Sequence, residues 1–388
     1  MKIVLYGGSF NPPHIGHVEA ALSVSRALKP DRFLIMPDHL PPHKELAADS
    51  PGPEERLRLC RLAFRDIPGA EVSDLEICRE GASYTADTVE QLRCDYPNDE
   101  LTLVVGGDMF FSFESWYRFR YLLEQCTLAV LARCGEDVDE LPAAVREMEK
   151  RYAARIVLIA HEPVTVSSSD LRYRLPRRMG SELLPPPVYE EIIRKRFYDA
   201  QPEFTWLREQ AYAMLKPKRI AHVAGCESAA VELAQRWGAD EELAAEAAIL
   251  HDITKKLSLD EQLNLCRQYG IIYDHAALLY PSVLHAMTGA ALAADRFGAK
   301  PEVVDAIRWH TTGKPDMTML EKIVYLADTI EPGRDFPSVK KLRKLANEDL
   351  DAAMAMALEY SLSYIAERGQ EPDPVTAEAA AWYAGRKA

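Results

Sequence analysis

Close to residue 200 the chain changes the period on which it places its apolar residues, and that change limits the folds open to it. Before it, β-branched runs at 2–5, 101–105, 127–131 and 155–159 alternate with helical stretches. Such alternation predicts βαβ units around a mostly parallel sheet. From about Glu203 onward the chain is rich in Ala and Leu, with apolar residues every three or four positions, as in Val223, Cys226, Ala230 and Leu233. That part is expected to be nearly all helix. Leu184-Pro-Pro-Pro187 resembles a linker, but proline favours the first turn of a helix, so the segment is read as introducing a last helix from Val188 to about Phe197. The boundary is then expected near Asp199 to Glu203, with one domain over 1–200 and a second over 201–388, and 388 residues suit two domains.

Charge narrows the partners. The formal net charge of −14 is shared evenly, with 25 Lys and Arg against 32 Asp and Glu in residues 1–200 and 21 against 28 in residues 201–388. Neither half offers the cationic excess that nucleic-acid polymers or anionic membrane surfaces select. Small phosphorylated ligands remain open, because a few cations and helix N-termini suffice to hold them. Seven scattered cysteines (60, 78, 94, 126, 134, 226, 266) contain no Cys-x-x-Cys and read as reduced thiols. With no apolar run approaching the roughly 18 residues of a membrane span, a cytoplasmic protein is expected. A homo-oligomer is compatible with the sequence, which does not set the state.

The first strand runs directly into Gly7-Gly-Ser-Phe-Asn-Pro-Pro-His-Ile-Gly-His17. A strand, a glycine turn and a helix start place backbone N–H groups and a helix dipole at one spot, which suits phosphate. The string is neither a P-loop nor the Gly-x-Gly-x-x-Gly fingerprint. What distinguishes it is His14-x-Gly-His17: positions i and i+3 share a face of the first helical turn, with Gly16 expected to let a ligand approach the backbone. Two such histidines can donate hydrogen bonds to a reacting phosphoryl group.

This string resembles the signature of the nucleotidylyltransferase superfamily, and residues 1 to about 198 are similar to bacterial nicotinate-nucleotide adenylyltransferases. The likeness runs in order through Pro41-Pro-His-Lys44, Ser83-Tyr-Thr85 with Asp87 and Thr88, Gly106-Gly-Asp108, Ser115-Trp-Tyr117, Arg133 and Val166-Ser-Ser-Ser-Asp-Leu-Arg172. The last stands where the family has Ile-Ser-Ser-Thr-x-Ile-Arg, and the exchanges keep a hydroxyl and an apolar residue. The resemblance implies a Rossmann-like α/β domain in which the phosphate of nicotinate mononucleotide attacks the α-phosphate of ATP, releasing pyrophosphate. It further implies that His14 and His17 hold the ATP phosphates, with Gly7, Ser9 and Phe10 lining the turn. Ser168 and Arg172 would meet the triphosphate, Gly106 and Asp108 would lie by the adenosine, and Lys44 and Arg133 would hold the mononucleotide phosphate. Thr85, Trp116 and Tyr117 would receive the nicotinate ring and its carboxylate. Mg2+ is expected to arrive with ATP rather than in a protein cage.

In the second half, histidines and aspartates fall on apolar stripes. Ala247 and Ala248 precede His251 by four and three residues, Val304 and Ile307 precede His310 by six and three, and Val324 precedes Asp328 by four. A buried aspartate is costly unless it is paired or binds metal. Together with His222, Asp252 and His285 these residues form a set of imidazoles and carboxylates suited to iron, manganese, zinc or nickel.

The order of that set, and the strings Arg219-Ile-Ala-His222, Leu250-His-Asp-Ile-Thr-Lys255, Trp309-His-Thr-Thr-Gly-Lys314 and Leu326-Ala-Asp-Thr-Ile-Glu-Pro-Gly-Arg334, resemble the YqeK-type branch of the HD superfamily. The resemblance implies an all-α domain that hydrolyses diadenosine tetraphosphate symmetrically to two ADP, with two metal ions, iron expected. Two metals about 3.5–4 Å apart could clamp a phosphate and acidify a water. Lys255, a turn beyond His251, is placed to steady a phosphate or leaving group, and Thr312, Lys314 and Arg334 are further candidates for phosphate contacts. Two alternatives stand beside this reading: a non-catalytic, metal-dependent nucleotide-sensing module, or a hydrolase of another nucleoside polyphosphate.

Overall fold

The computed structural model describes residues 1–42, 46–133, 140–162, 164–273 and 281–385, without the side chains of residues 133, 281 and 282. It contains two compact units, Met1–Gln201 and Pro202–Ala388.

The first unit alternates strands β1 (Lys2–Gly8), β2 (Arg32–Pro37), β3 (Ala70–Val72), β4 (Glu100–Gly106), β5 (Thr127–Arg133) and β6 (Arg155–His161) with helices. The helices are α1 (Ile15–Leu28), α2 (Pro53–Phe64), α3 (Thr85–Asp95), α4 (Gly107–Phe111), α5 (Phe119–Gln125), α6 (Glu140–Tyr152), α7 (Ser168–Arg174) and α8 (Pro186–Lys195). The sheet order is β3-β2-β1-β4-β5-β6, and every neighbouring pair is parallel. This is the doubly wound order in which the sequence of strand addition reverses between β1 and β4, opening a crevice at their carboxyl ends.

The four β-branched runs are all strands. Two more, β2 and β3, join them. Phe33, Leu34, Ile35 and Met36 are all buried in β2, and a short continuous apolar run lacks the alternation that separates strand from helix in sequence. The three residues of β3 are too few to carry a period. Leu103, Val105, Leu128 and Val130 pack with Leu34 and Met36 in the core on one face of the sheet. The proline-rich segment does start a helix, with proline in the first turn of α8.

The second unit is helical throughout its described residues: α9 (Phe204–Ala213), α10 (Pro217–Trp237), α11 (Glu241–Leu250), α12 (Leu259–Tyr269), α13 (Pro281–Phe297), α14 (Pro301–Trp309), α15 (Met319–Ile330), α16 (Val339–Glu348), α17 (Leu350–Glu367) and α18 (Pro374–Ala384). Two helix starts are fixed by reciprocal capping boxes, Ser258 with Glu261 on α12 and Thr318 with Glu321 on α15. On α11, Ala244, Ala245, Ala247 and Ala248 are all buried, and their small side chains let neighbouring helices approach closely. Ala230, Leu233, Leu326 and Met354 belong to one core, and Ala247, Leu250, Val303 and Val324 to another. No helix among the described residues is long and apolar enough to cross a membrane.

Candidate active sites

At the crevice of the first unit a cavity of about 620 Å³ opens at the ends of β1 and β4. Of the residues singled out in sequence, Gly7, Ser9, Phe10, His14, His17, Thr85, Gly106, Asp108, Trp116, Tyr117 and Ser168 line it.

His14 is the N-cap of α1 rather than part of its first turn. The backbone N–H of His17 donates to His14 Nδ1 at 3.3 Å, and the N–H of His14 donates to His17 Nδ1 at 3.2 Å. The two imidazoles therefore close a capping box, and their rings stack with centroids 3.6 Å apart. A ring nitrogen that accepts from a backbone N–H is unprotonated, so a neutral ring carries its proton on Nε2. Burial lowers the pKa of His14 to about 4, which keeps it a neutral N–H donor near pH 7. Gly16 lines the cavity, as expected, and has a second reason to be glycine. A Cβ there would lie 3.1 Å from His14 Nδ1 and 3.1 Å from Val166 Cγ1, so the glycine makes room for the histidine.

The start of α7 braces the same turn. Ser168 Oγ donates to the carbonyl of Pro12 at 3.0 Å. Arg172 does not line the cavity. Its guanidinium donates to the carbonyl of Asn11 at 2.6 Å and to Ser169 Oγ at 3.1 Å. Arg133 is the last residue of β5, but its side chain, like the whole of Lys44, lies outside the described residues. The rings of Tyr84 and Tyr117, which also line the cavity, lie 4.7 Å apart.

In the second unit, five helices or their ends bring the predicted metal ligands together: His222 from α10, His251 and Asp252 just past α11, His285 from α13, His310 just past α14, and Asp328 from α15. His251 Nδ1 donates to the carbonyl of Ala248 at 2.7 Å, and His310 Nδ1 to that of Ile307 at 2.6 Å. His222 Nδ1 lies 3.1 Å from Glu331 Oε1. When neutral, His251 and His310 therefore present an Nε2 lone pair inward, while burial, which would lower the pKa of His251, is outweighed by Asp252 and Asp328, which raise it.

Asp252 is 0% exposed, and its Oδ1 lies 3.2 Å from His285 Nε2, 3.7 Å from His310 Nε2 and 3.1 Å from Lys255 Nζ. Its Oδ2 lies 3.3 Å from His251 Nε2 and pairs with Arg219. Asp328 Oδ1 is 3.0 Å from His222 Nε2 and 2.6 Å from Arg334. The His285 and His310 Nε2 atoms face each other at 3.1 Å.

Burial opposes the charge on Asp252, but His251, His285 and His310 outweigh it and hold the carboxyl well below the usual range. Burial opposes Asp328 in the same way, and His222 and His251 outweigh it. Burial lowers His285 to about 4 despite Asp252, so that imidazole stays neutral.

His285 Nδ1 is buried with no hydrogen-bond partner, and His251 Nε2 and Asp252 Oδ1 are met only by ion-pair neighbours, Asp252 for the first and Lys255 and His285 for the second. Buried polar atoms without a full set of hydrogen bonds call for a ligand. Two groups sharing His251 are compact enough to hold an ion, His222 with Cys226, His251 and Asp328, and His251 with Asp252 and His310. The donor set fits a divalent transition metal. Cys226 comes within 3.4 Å of His222 Nε2, but burial first, and then Asp328 and Glu331, push its thiol pKa up.

Of the further phosphate candidates, Thr312 donates to the carbonyl of Gly313 and Lys314 pairs with the buried Glu321. Arg334 stays at the site through Asp328.

The family models for Cytidylyltransferase-like proteins and for the HD domain match residues 5–174 and 219–333. A probable nicotinate-nucleotide adenylyltransferase of Carboxydothermus hydrogenoformans is 34% identical over 51% of this chain and 98% of its own length. The symmetrical bis(5'-nucleosyl)-tetraphosphatase of Bacillus subtilis is 38% identical over 44% of this chain and 93% of its own. The chain belongs to both families, one in each half. Both halves also occur joined in a Mycoplasma genitalium protein described as a probable nicotinate-nucleotide adenylyltransferase/Ap4A hydrolase, 27% identical over 92% of this chain and 97% of its own length.

The adenylyltransferase half holds functional neighbours that sequence reading missed. Arg56 of α2 is fully buried and donates to the carbonyl of Ser9 at 2.9 Å, to Asp38 Oδ1 at 3.0 Å and to the carbonyl of Asp38 at 2.8 Å. Its signal was available: Arg56, Leu59, Cys60 and Ala63 share one buried helical stripe. In the tetraphosphatase half Glu331 was missed as the orienting partner of His222. A Cβ on Gly225 would lie 2.6 Å from Glu331 Oε2, so the bare backbone of α10 leaves the space this carboxylate occupies.

Proposed function

We propose that the chain carries two activities. The first half transfers AMP from ATP to nicotinate mononucleotide, giving deamido-NAD and pyrophosphate. The second hydrolyses diadenosine tetraphosphate to two ADP. The observation that carries the first reading is the histidine capping box at the sheet's reversal point, which supports two Nε2–H donors facing the cavity. A phosphate oxygen of the mononucleotide attacks the α-phosphorus of ATP, the bond from that phosphorus to the bridging oxygen breaks, and pyrophosphate leaves with Mg2+. Donors held at fixed positions stabilise charge that grows on the phosphoryl oxygens without reorganising. Gly7, Ser9 and Phe10 shape the turn, Ser168 and Arg172 brace it, Gly106 and Asp108 flank the adenosine, and Thr85, Trp116 and Tyr117 receive the nicotinate. Lys44 and Arg133 are assigned to the mononucleotide phosphate on the family motif alone.

For the second half, the convergence of buried imidazole nitrogens and carboxylate oxygens, in two groups compact enough to hold an ion, carries the reading. His222, His251, Asp252, His285, His310 and Asp328 would hold two metal ions, with iron favoured. Such ions supply charge to clamp phosphate and to activate water. Lys255, Arg219 and Arg334 supply cations around the ligands and orient the central phosphates. Water adds across the middle bridge of the tetraphosphate, so each product keeps two phosphates.

Both reactions should be assayed on the intact chain, on His17→Ala and on His251→Ala/Asp252→Ala, with metal analysis of the same samples. Failure of either activity under every divalent metal would sink the corresponding half of the proposal. Metal bound without ADP release would favour a sensing module.

A further inference from the structure

We propose that Tyr198 is a positioning residue for nucleotidyl transfer, its hydroxyl fixing Asn11 and, through Asn11, the turn that presents His14 and His17. The inference rests on the transferase reading of the first half. Tyr198 lies 187 residues from Asn11 in sequence, yet its hydroxyl donates to Asn11 Oδ1 at 2.7 Å. Both side chains are 1% exposed.

The backbone near Tyr198 is unusual. Arg196, Tyr198 and Asp199 have φ of 55°, 61° and 51°, the left-handed region that L side chains rarely adopt. Arg196 alone terminates α8, its N–H reaching the carbonyls of Ile192 and Ile193. Ending the helix therefore leaves the second and third left-handed residues unexplained, and strain kept in a folded chain points to a task done there. Here it turns the Tyr198 ring inward. Burial raises the phenol pKa, so the hydroxyl is present to donate.

Asn11 is a junction. Its Nδ2 donates to Ser50 Oγ at 2.7 Å, and its carbonyl accepts from Arg172 at 2.6 Å. The next carbonyl, of Pro12, accepts from Ser168 at 3.0 Å, and His14 follows two residues later. Remove the tyrosine hydroxyl and Asn11 Oδ1 is left buried without that donor, while the ring still fills its place. Bound donors that drift by an ångström lose much of their effect on the reacting phosphoryl group.

The test compares Tyr198→Phe, Asn11→Ala and the double variant in the full chain. Tyr198→Phe should lower kcat for adenylyl transfer by roughly tenfold, with KM for nicotinate mononucleotide little changed and hydrolysis by the second half intact as an internal control. The double variant should be no slower than Asn11→Ala, because both act through one contact. A wild-type kcat in Tyr198→Phe with only a lowered Tm would reduce the residue to core packing and overturn the inference, as would full additivity. Should Tyr198→Phe fail to fold, Asn11→Ala compared with Asn11→Asp decides. Equal kcat in the two, at the wild-type level, overturns the inference, whereas a loss in Asn11→Ala partly restored in Asn11→Asp, which keeps the acceptor, supports it. Absence of transfer in the unaltered chain would instead defeat the transferase reading itself.

Discussion

The two halves put histidine to opposite uses, and the difference comes from which end of a helix the residue occupies. His14 and His17 sit at the start of α1, where backbone N–H groups lack partners. Their Nδ1 atoms accept those hydrogens and Nε2 is left protonated. His251 and His310 sit just past the ends of α11 and α14, where carbonyls are in surplus. Their Nδ1–H groups donate to those carbonyls, so the neutral ring keeps its lone pair on Nε2. One arrangement offers hydrogen to phosphate, the other electrons to a metal. The same side chain is thus assigned its chemistry by local backbone supply before any ligand arrives.

The sharpest way to break this contrast is to remove the lone pairs. His251→Ala/Asp252→Ala should abolish ADP release, by about a thousandfold or more, and lower bound metal, while adenylyl transfer in the same chain persists. Loss of both activities would show that the halves do not act independently. Next in size, His17→Ala should lower kcat for adenylyl transfer about 10²–10³-fold, the scale of a lost transition-state donor. Steady-state kinetics on both substrates checks it, and hydrolysis should be untouched. Adding or withholding iron should not rescue this variant, whereas the metal content of the second half should follow the supply.

Glu331→Gln tests the orientation of His222 without removing a ligand. It should weaken metal binding about 10–100-fold, read by competition with a chelator, with no effect on transfer. The smallest expected effect concerns acidity. Since the folded His14 has a pKa of about 4 against an ordinary 6.5, the unfolded chain takes up that proton first as the pH falls. The first half should lose stability between about pH 6.5 and about 4, and none from this group above that window. Denaturant midpoints at pH 7.5 and 5 should differ more in the unaltered chain than in His14→Asn.

Much of this was legible because it is local. The turn after β1 and the strings around Asp252 and Asp328 carry their chemistry within a dozen residues, and the shift in apolar period separates sheet from helix. What escaped depends on contacts distant in sequence. Tyr198 with Asn11, Arg56 with Ser9, and Glu331 with His222 span 187, 47 and 109 residues, and no periodicity reports such meetings. Gly16 was noticed for its place beside the ligand, but only coordinates show that His14 also needs the space a side chain there would take. The short β3 and the unalternating β2 escaped because local pattern is weak there, the sheet itself supplying the stabilisation.

Gly225 has a consequence for anyone engineering the second half. Residue 225 coordinates nothing, so a survey confined to ligands would pass it over as a tolerant helical position. A single added methyl group there would intrude on Glu331, unseat the carboxylate that steers the His222 ring, and leave every ligand chemically intact but one of them misaimed. Gly225→Ala should therefore behave as a metal-site lesion, with a helix that is, if anything, easier to form.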